Sequence, residues 1–114
     1  MSKGDRSRVI HLADAGARIP GPAGEHATSV LQRGTLDVAL SMPAYPIQQT
    51  PHAKDEIYIV VSGRAVVLHD SEREACEAGD VVFVAAGTEH QFEDLNDGFA
   101  VWRVFYGPDG GEIP

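Results

Sequence analysis

A histidine and a glutamate lie four residues apart at the start of an apolar segment. His52 precedes the run E-I-Y-I-V-V-S, which begins at Glu56 and ends before Gly63. The run is rich in β-branched and aromatic residues and stops at a glycine, which predicts a strand closed by a tight turn. A carboxylate on such a strand is unfavourable to desolvate unless a positive group, such as a metal ion, lies against it. We therefore predict a chemical role for this pair.

A second segment, residues 79–94, supplies another histidine. It reads G-D-V-V-F-V-A-A-G-T-E-H-Q-F-E-D, with turns predicted at its two glycines and a short strand beginning at His90. Two imidazoles and one carboxylate, from His52, Glu56 and His90, would leave positions open on a divalent metal. Such a set indicates a catalytic or ligand-binding metal site, because closed structural sites are usually completed by cysteine or a further histidine.

The spacing around the first pair resembles the first motif of the cupin superfamily, a group of small metal-binding jelly-roll barrels. That motif has the form G-x5-H-x-H-x3,4-E-x6-G, and its second half is matched by His52, Glu56 and Gly63. Thr50 stands in the place of the first motif histidine, and Ala44 stands in the place of the opening glycine. The resemblance therefore implies a metal site that lacks one of the usual ligands.

The second segment resembles the second cupin motif, G-x5-P-x-G-x2-H-x3-N. Gly79, Gly87 and His90 match it without a gap. Ala85 replaces the motif proline and Asp94 replaces the motif asparagine. Two spaced motifs in order are a specific signal for fold and a weak one for function, because one fold hosts many chemistries.

The resemblance covers about residues 35–106 and implies an all-β protein, a small conserved-barrel cupin with one jelly-roll domain. Eight to ten short strands and no helical periodicity agree with this fold class. We predict a barrel over residues 8–106, with a flexible N-terminus at 1–7 and a flexible C-terminal tail at 107–114. A homodimer is the family expectation.

Alternation within the strands gives more detailed expectations. The segment from Arg8 to Leu12 has strand character. In the segment that follows Gly34, alternation is interpreted as pointing Leu36, Val38 and Leu40 inward. Both faces of the strand that begins at Glu56 are apolar, which predicts burial on both sides.

The remaining metal ligand has several candidates in the sequence. Gln48, Gln49 or Thr50 could donate an oxygen, or water could fill the position. Such a site would accommodate iron, manganese, nickel or zinc, one ion per chain. The alternative is a barrel that binds no metal. Tyr58 shares a face with Glu56, so its hydroxyl could orient the carboxylate or contact a substrate, or it could be a core residue.

The resemblance implies a metal-binding protein that acts on a small organic molecule. A dioxygenase is one possibility and a metal-dependent isomerase or lyase is another, with Glu56 as the nearest candidate for a general base. A noncatalytic binding barrel is the alternative from a different class. Phe92 is predicted to line the pocket, and Trp102 and Phe105 lie on opposite faces of the last strand, so that one of them lines the cavity.

Composition and charge exclude some classes of partner. The net charge of −8 disfavours binding to nucleic acid or to an anionic membrane, since both rely on Lys and Arg. No apolar run is long enough to span a bilayer, and no secretory signal is recognisable. The single cysteine, Cys76, lies among acidic residues that would raise its pKa, and it has no partner for an intrachain disulfide. We expect a cytoplasmic protein.

Overall fold

The computed structural model describes residues 7–44 and 51–114, which contain one short helix and eight β-strands. The elements are α1 (Leu12–Gly16), β1 (Ala27–Arg33), β2 (Leu36–Ser41), β3 (Asp55–Ser62), β4 (Arg64–His69), β5 (Glu72–Glu77), β6 (Val81–Val84), β7 (His90–Glu93) and β8 (Ala100–Tyr106). In these two ranges no helix has the length and apolar character needed to cross a membrane.

The strands form two antiparallel sheets. The larger sheet has the order β1-β2-β8-β3-β6, and the smaller has the order β5-β4-β7. Strands that are distant in the chain are neighbours in each sheet, as in a jelly roll. The all-β fold predicted from the sequence is confirmed.

The turn at Gly63 carries the chain from the larger sheet to the smaller one. Gly63 has a φ of 76°, and an added Cβ would lie 2.8 Å from Phe99 Cα and 2.5 Å from Asn96 Oδ1. Glycine is the residue that meets both the backbone and the space requirement. The Asn96 carboxamide oxygen also accepts the Arg64 N–H at 2.7 Å, which fixes the same corner.

The hydrophobic core lies between the two sheets. Its aromatic part is a series of edge-to-face contacts, in which the Tyr58 and Phe92 ring centroids are 4.9 Å apart and the Phe92 and Phe99 centroids are 5.0 Å apart. On β3, burial alternates, so that Tyr58 is buried and Ile59 is 38% exposed. The prediction that both faces of this strand are buried was wrong, because the smaller sheet covers only one of them.

The prediction that Leu36, Val38 and Leu40 of β2 point toward the inner face of the sheet was also wrong. Arg103 of β8 pairs with Tyr58 on one side and with Ala39 on the other, so Ala39 shares the inner face of the sheet. Leu40 pairs with Trp102 and lies on the outer face, as do Leu36 and Val38. Alternation identifies residues that share a face, but it does not say which face meets the core. Leu40 is nevertheless fully buried, and α1 packs against β2.

The N-terminal segment does not form the predicted strand. Residues 8–11 have no regular structure, and α1 follows with Ala15 buried. Arg8 Nη2 donates to the Val30 carbonyl oxygen at 2.8 Å, so the segment is attached to β1 by a side chain. Five residues carry too little information to separate a strand from an extended segment that leads into a helix.

Candidate metal site

Three predicted ligands meet at the start of β3. Glu56 Oε1 lies 2.8 Å from His52 Nε2 and 3.2 Å from His90 Nε2. One ligand atom from each residue lies within 4.8 Å of the other two. Glu56 and His90 are buried, and the His52 side chain is 18% exposed. The sequence prediction that these three residues come together is confirmed.

Backbone hydrogen bonds hold the two sequence motifs together. The turn that follows β6 donates its Gly87 N–H to the His52 carbonyl oxygen at 2.9 Å. The preceding residue donates its N–H to Asp55 Oδ1 at 3.0 Å. His90 begins β7 three residues after Gly87, which has a φ of 80°. The glycine of the second motif therefore makes the turn that brings His90 to His52.

Each histidine is oriented by its second ring nitrogen. His52 Nδ1 lies 2.7 Å from the Lys54 carbonyl oxygen, and His90 Nδ1 lies 2.9 Å from the Thr88 carbonyl oxygen. A carbonyl oxygen only accepts, so each Nδ1 carries the proton and donates it. In the neutral imidazole Nε2 is then a lone-pair donor, which is the arrangement found in metal-binding histidines.

The donor set fits a divalent cation. Two Nε2 lone pairs and a carboxylate oxygen face one another in a buried space, where they repel unless a proton or a metal lies between them. Glu56 Oε2 is also buried and has no hydrogen-bond partner among the described residues. Nitrogen and carboxylate donors suit iron, manganese, nickel or zinc. His52, Glu56 and His90 would hold the ion.

The buried Glu56 carboxylate favours the protonated form of His90. Burial acts to lower the pKa of His90, but hydrogen bonds to Glu56 and to the Thr88 carbonyl outweigh burial and raise it. Tyr58 OH lies 3.1 Å from His90 Nε2, and burial together with the Glu56 charge raises the pKa of this phenol far above its usual value. Tyr58 therefore stays a neutral hydroxyl donor at the site.

Asp55 connects the site to the C-terminal residues. Its Oδ2 accepts the Glu112 N–H at 2.8 Å, in addition to the Oδ1 bond to Ala86. These two backbone donors lower the pKa of the Asp55 carboxyl. Gly110 N–H donates to the Ala53 carbonyl oxygen at 2.7 Å, so residues 107–114 contact the segment that carries His52.

Two cavities lie near the site, one lined by His52 and the other by Tyr58. One of about 490 Å³ is lined by His52, Lys54 and Phe105, among others, and the His52 and Phe105 ring centroids are 4.7 Å apart. The other, about 320 Å³, is lined by Tyr58 and Phe92. Both predictions about aromatic residues hold, because Phe92 lines a pocket and Phe105, not the outer-face Trp102, lies against the site.

Some predicted residues lie outside the part of the chain that the structure describes, namely Gln48, Gln49 and Thr50. Sequence reasoning missed the Asp55 carboxylate, which had no motif around it.

Cys76 is buried in the core, and burial, then the Asp80 charge, raises its pKa. The predicted direction of that shift is confirmed, but its main cause is burial.

Two known proteins are similar in sequence to part of this chain. An uncharacterized protein of Streptomyces coelicolor is 43% identical over 61 residues, which cover 54% of this chain and 58% of that protein. An acireductone dioxygenase of Pseudomonas syringae pathovar tomato is 35% identical over 69 residues, which cover 56% of this chain and 38% of that protein. In both cases the match spans less than two thirds of the relative's length.

Solved structures and a family model complete the comparison. A cupin 2 conserved barrel domain protein from Salinispora arenicola has a TM-score of 0.68 at 23% identity, covering 90% of this chain and 91% of that one. A cupin-2 domain protein from Shewanella frigidimarina also has a TM-score of 0.68, at 17% identity, covering 84% and 92%. The model of the cupin domain matches residues 41–106, more than half of the chain. The chain belongs to the cupin domain family.

Proposed function

We propose that this cupin is a metal-dependent enzyme that acts on a small organic molecule, with dioxygenase chemistry as the leading reaction class. The observation that carries the proposal is the meeting of two histidine Nε2 atoms with the buried Glu56 carboxylate. Two histidines and one carboxylate with open positions are the donor set of non-haem Fe(II) oxygenases. The similarity to an acireductone dioxygenase supports the same class.

The residues around the ion have separate roles. His52 and His90 would hold it through Nε2, each oriented by a backbone carbonyl, and Glu56 would supply the negative charge. The bound metal would supply Lewis-acid polarisation of an oxygen-bearing substrate and, if it is iron, a site for dioxygen. Tyr58, kept protonated, would donate a hydrogen bond to Glu56 or to a substrate oxygen nearby.

The test combines metal analysis with oxygen consumption. Protein purified without chelator or affinity metal is analysed for its metal content, then depleted and reloaded with Fe(II) under anaerobic conditions. Oxygen uptake is measured with an acireductone, a small enediol ketone, and without it. We expect about one metal per chain and substrate-dependent uptake in the wild type, because the donor set is complete enough to hold an ion.

Two glutamate variants make the test specific. Glu56→Ala removes the buried ligand and should lose both metal and oxygen uptake, whereas Glu74→Ala removes an exposed carboxylate and should keep both. Metal without oxygen uptake would direct the search to isomerase or lyase chemistry. Absence of metal from every preparation would contradict the proposal and favour a noncatalytic binding barrel. The homodimer and the cytoplasmic location stay predictions of the sequence.

A further inference from the structure

Arg103 places a cation on the inner face of the larger sheet. It lies on β8, where it pairs with the core residue Tyr58 of β3 and with the fully buried Ala39 of β2. Residues that are directly opposite in a sheet point to the same side. An arginine on the core side of a strand is unusual unless its charge is paired.

The guanidinium has no carboxylate partner in residues 7–44 and 51–114. No ion pair there includes Arg103, and its Nε is buried and without a hydrogen bond. Its Cζ lies 5.2 Å from the centroid of the Phe105 ring. A ring face attracts the charge, but it cannot accept hydrogen bonds from the five N–H groups in the way that oxygen atoms do.

Arg103 also lines the 320 Å³ pocket, together with Phe92 and with Tyr58, whose hydroxyl lies 3.1 Å from His90 Nε2. Glu25 lines this pocket as well, but both of its carboxylate oxygens accept the Ala23 N–H, at 3.0 and 3.1 Å. The pocket therefore combines a phenol, an aromatic wall and a guanidinium that has no carboxylate partner among the described residues. Such pockets orient a ligand through a few polar groups.

We infer that this pocket binds a planar oxyanion of the substrate, a carboxylate or an enediolate, through Arg103. The inference rests on the proposed function, whose substrate class it names. The guanidinium fork matches two coplanar oxygens, and such charge-assisted pairs are stronger than neutral hydrogen bonds. The carbon part of the ligand would lie against Phe92 and the ring of Tyr58, with the oxyanion at the Arg103 guanidinium.

Benzoate and benzamide provide a matched pair of probes, because they share one shape and differ in charge. Both are titrated into metal-depleted ¹⁵N-labelled protein, and the Arg103 Nε–H signal is followed by NMR. We expect benzoate to shift this signal and to bind at least about tenfold more tightly than benzamide, since only benzoate pairs with the guanidinium. Equal affinity for the two probes, or no binding of benzoate, would overturn the inference.

Variants locate the effect. Arg103→Gln should abolish the preference for benzoate, and Arg103→Lys, which keeps the charge without the fork, should retain only part of it. Arg73→Gln is the control, because Arg73 is exposed and pairs with Glu93 on the smaller sheet. A preference that survives in folded Arg103→Gln, as judged by circular dichroism, would overturn the inference, and so would its loss in Arg73→Gln.

Metal content measured on the same wild-type preparation, before depletion, separates this inference from the proposed function. Bound metal without any preference for benzoate would overturn the inference and leave the proposed function standing. A preference for benzoate in protein that never contains metal would support the anion site and contradict the proposed function.

Discussion

Two clusters in the described residues have the composition of a metal site, and their comparison separates composition from geometry. One is His52, Glu56 and His90, and the other is His69, Glu72 and Glu74. Both contain a histidine Nε2 at 2.8 Å from a glutamate oxygen. In the first cluster the glutamate side chain is 1% exposed, whereas Glu74 in the second is 68% exposed.

The difference in exposure decides which cluster needs a cation. Water solvates the carboxylates of the second cluster, so an exposed pair there gains little from any partner. Glu56 has lost its water, and one of its oxygens has no other partner in the described part of the chain. A buried carboxylate without a positive partner is costly. The first cluster is therefore the one that a metal would stabilise.

The two clusters also differ in how their histidines are held. His52 and His90 each donate Nδ1–H to a backbone carbonyl, which aims Nε2 at the centre of the cluster. No such bond from His69 Nδ1 is found within the described residues. An oriented ring loses less rotamer entropy when it binds an ion. Four predictions test whether this contrast is real.

The largest effect is expected from removal of a histidine. His90→Ala should weaken metal affinity by more than about 100-fold, beyond the 10- to 100-fold typical of supporting residues, because it deletes a ligand. His69→Ala should leave the affinity unchanged. Competition with a chromophoric chelator measures both values. Equal losses in the two variants would mean that the clusters are equivalent and that burial is not decisive.

Removal of the metal should lower thermal stability. At a free metal concentration 100 times the Kd, binding to the folded state adds about 2.7 kcal/mol, which corresponds to a rise in Tm of roughly 10 °C or more for a domain of this size. Scanning calorimetry with and without chelator should show this shift for the wild type and for Glu74→Gln. If chelator lowers the Tm of Glu56→Gln by as much as it lowers that of the wild type, Glu56 is not a ligand.

Asp55 should affect the site without touching the metal. Asp55→Asn replaces one of the two oxygens that accept the Ala86 and Glu112 N–H groups, and so it should loosen the turn that leads to His90. We expect metal affinity to fall about tenfold, as for other supporting groups. Asp109→Asn, which breaks only the exposed ion pair with Lys54, is the control. An identical affinity for Asp55→Asn and wild type would show that the turn keeps its position unaided.

Tyr58→Phe should produce the smallest effect. It keeps the ring that packs on Phe92 and removes the hydroxyl beside His90. We expect unfolding free energy to fall by about 1 kcal/mol, the typical net value of one hydrogen bond, with metal affinity within about tenfold of the wild type. Denaturant unfolding and chelator competition measure the two quantities. A larger loss of affinity than that of Asp55→Asn would assign Tyr58 a direct part in holding the ion.

Most of the candidate metal site was predictable from the sequence, because its residues carry strong local signals. Glu56 precedes an apolar run, where a carboxylate is out of place, and His90 follows a glycine at a fixed spacing. The supporting groups were not predictable in this way. The carbonyls that orient the histidines belong to Lys54 and Thr88, and any residue type supplies a carbonyl.

Arg103 shows a different failure of sequence reasoning. In the run F-A-V-W-R-V-F-Y, Arg103 is one of several arginines scattered along the sequence. It lies two residues before the site residue Phe105, so the two side chains share one face of the strand. Alternation along the strand does not say whether this face meets the core or the solvent. The same ambiguity produced the wrong direction for Leu40 on β2.

The sequence by itself determined the β-rich character of the chain, the turns at its glycines and the identity of three candidate ligands. These follow from local propensity and spacing, which act over a few residues. The tertiary structure decided which face of each strand is inner, which histidines are held by carbonyls and which of two similar clusters is buried. Those properties depend on strand register and on the packing of one sheet over the other, which bring together residues far apart in the chain.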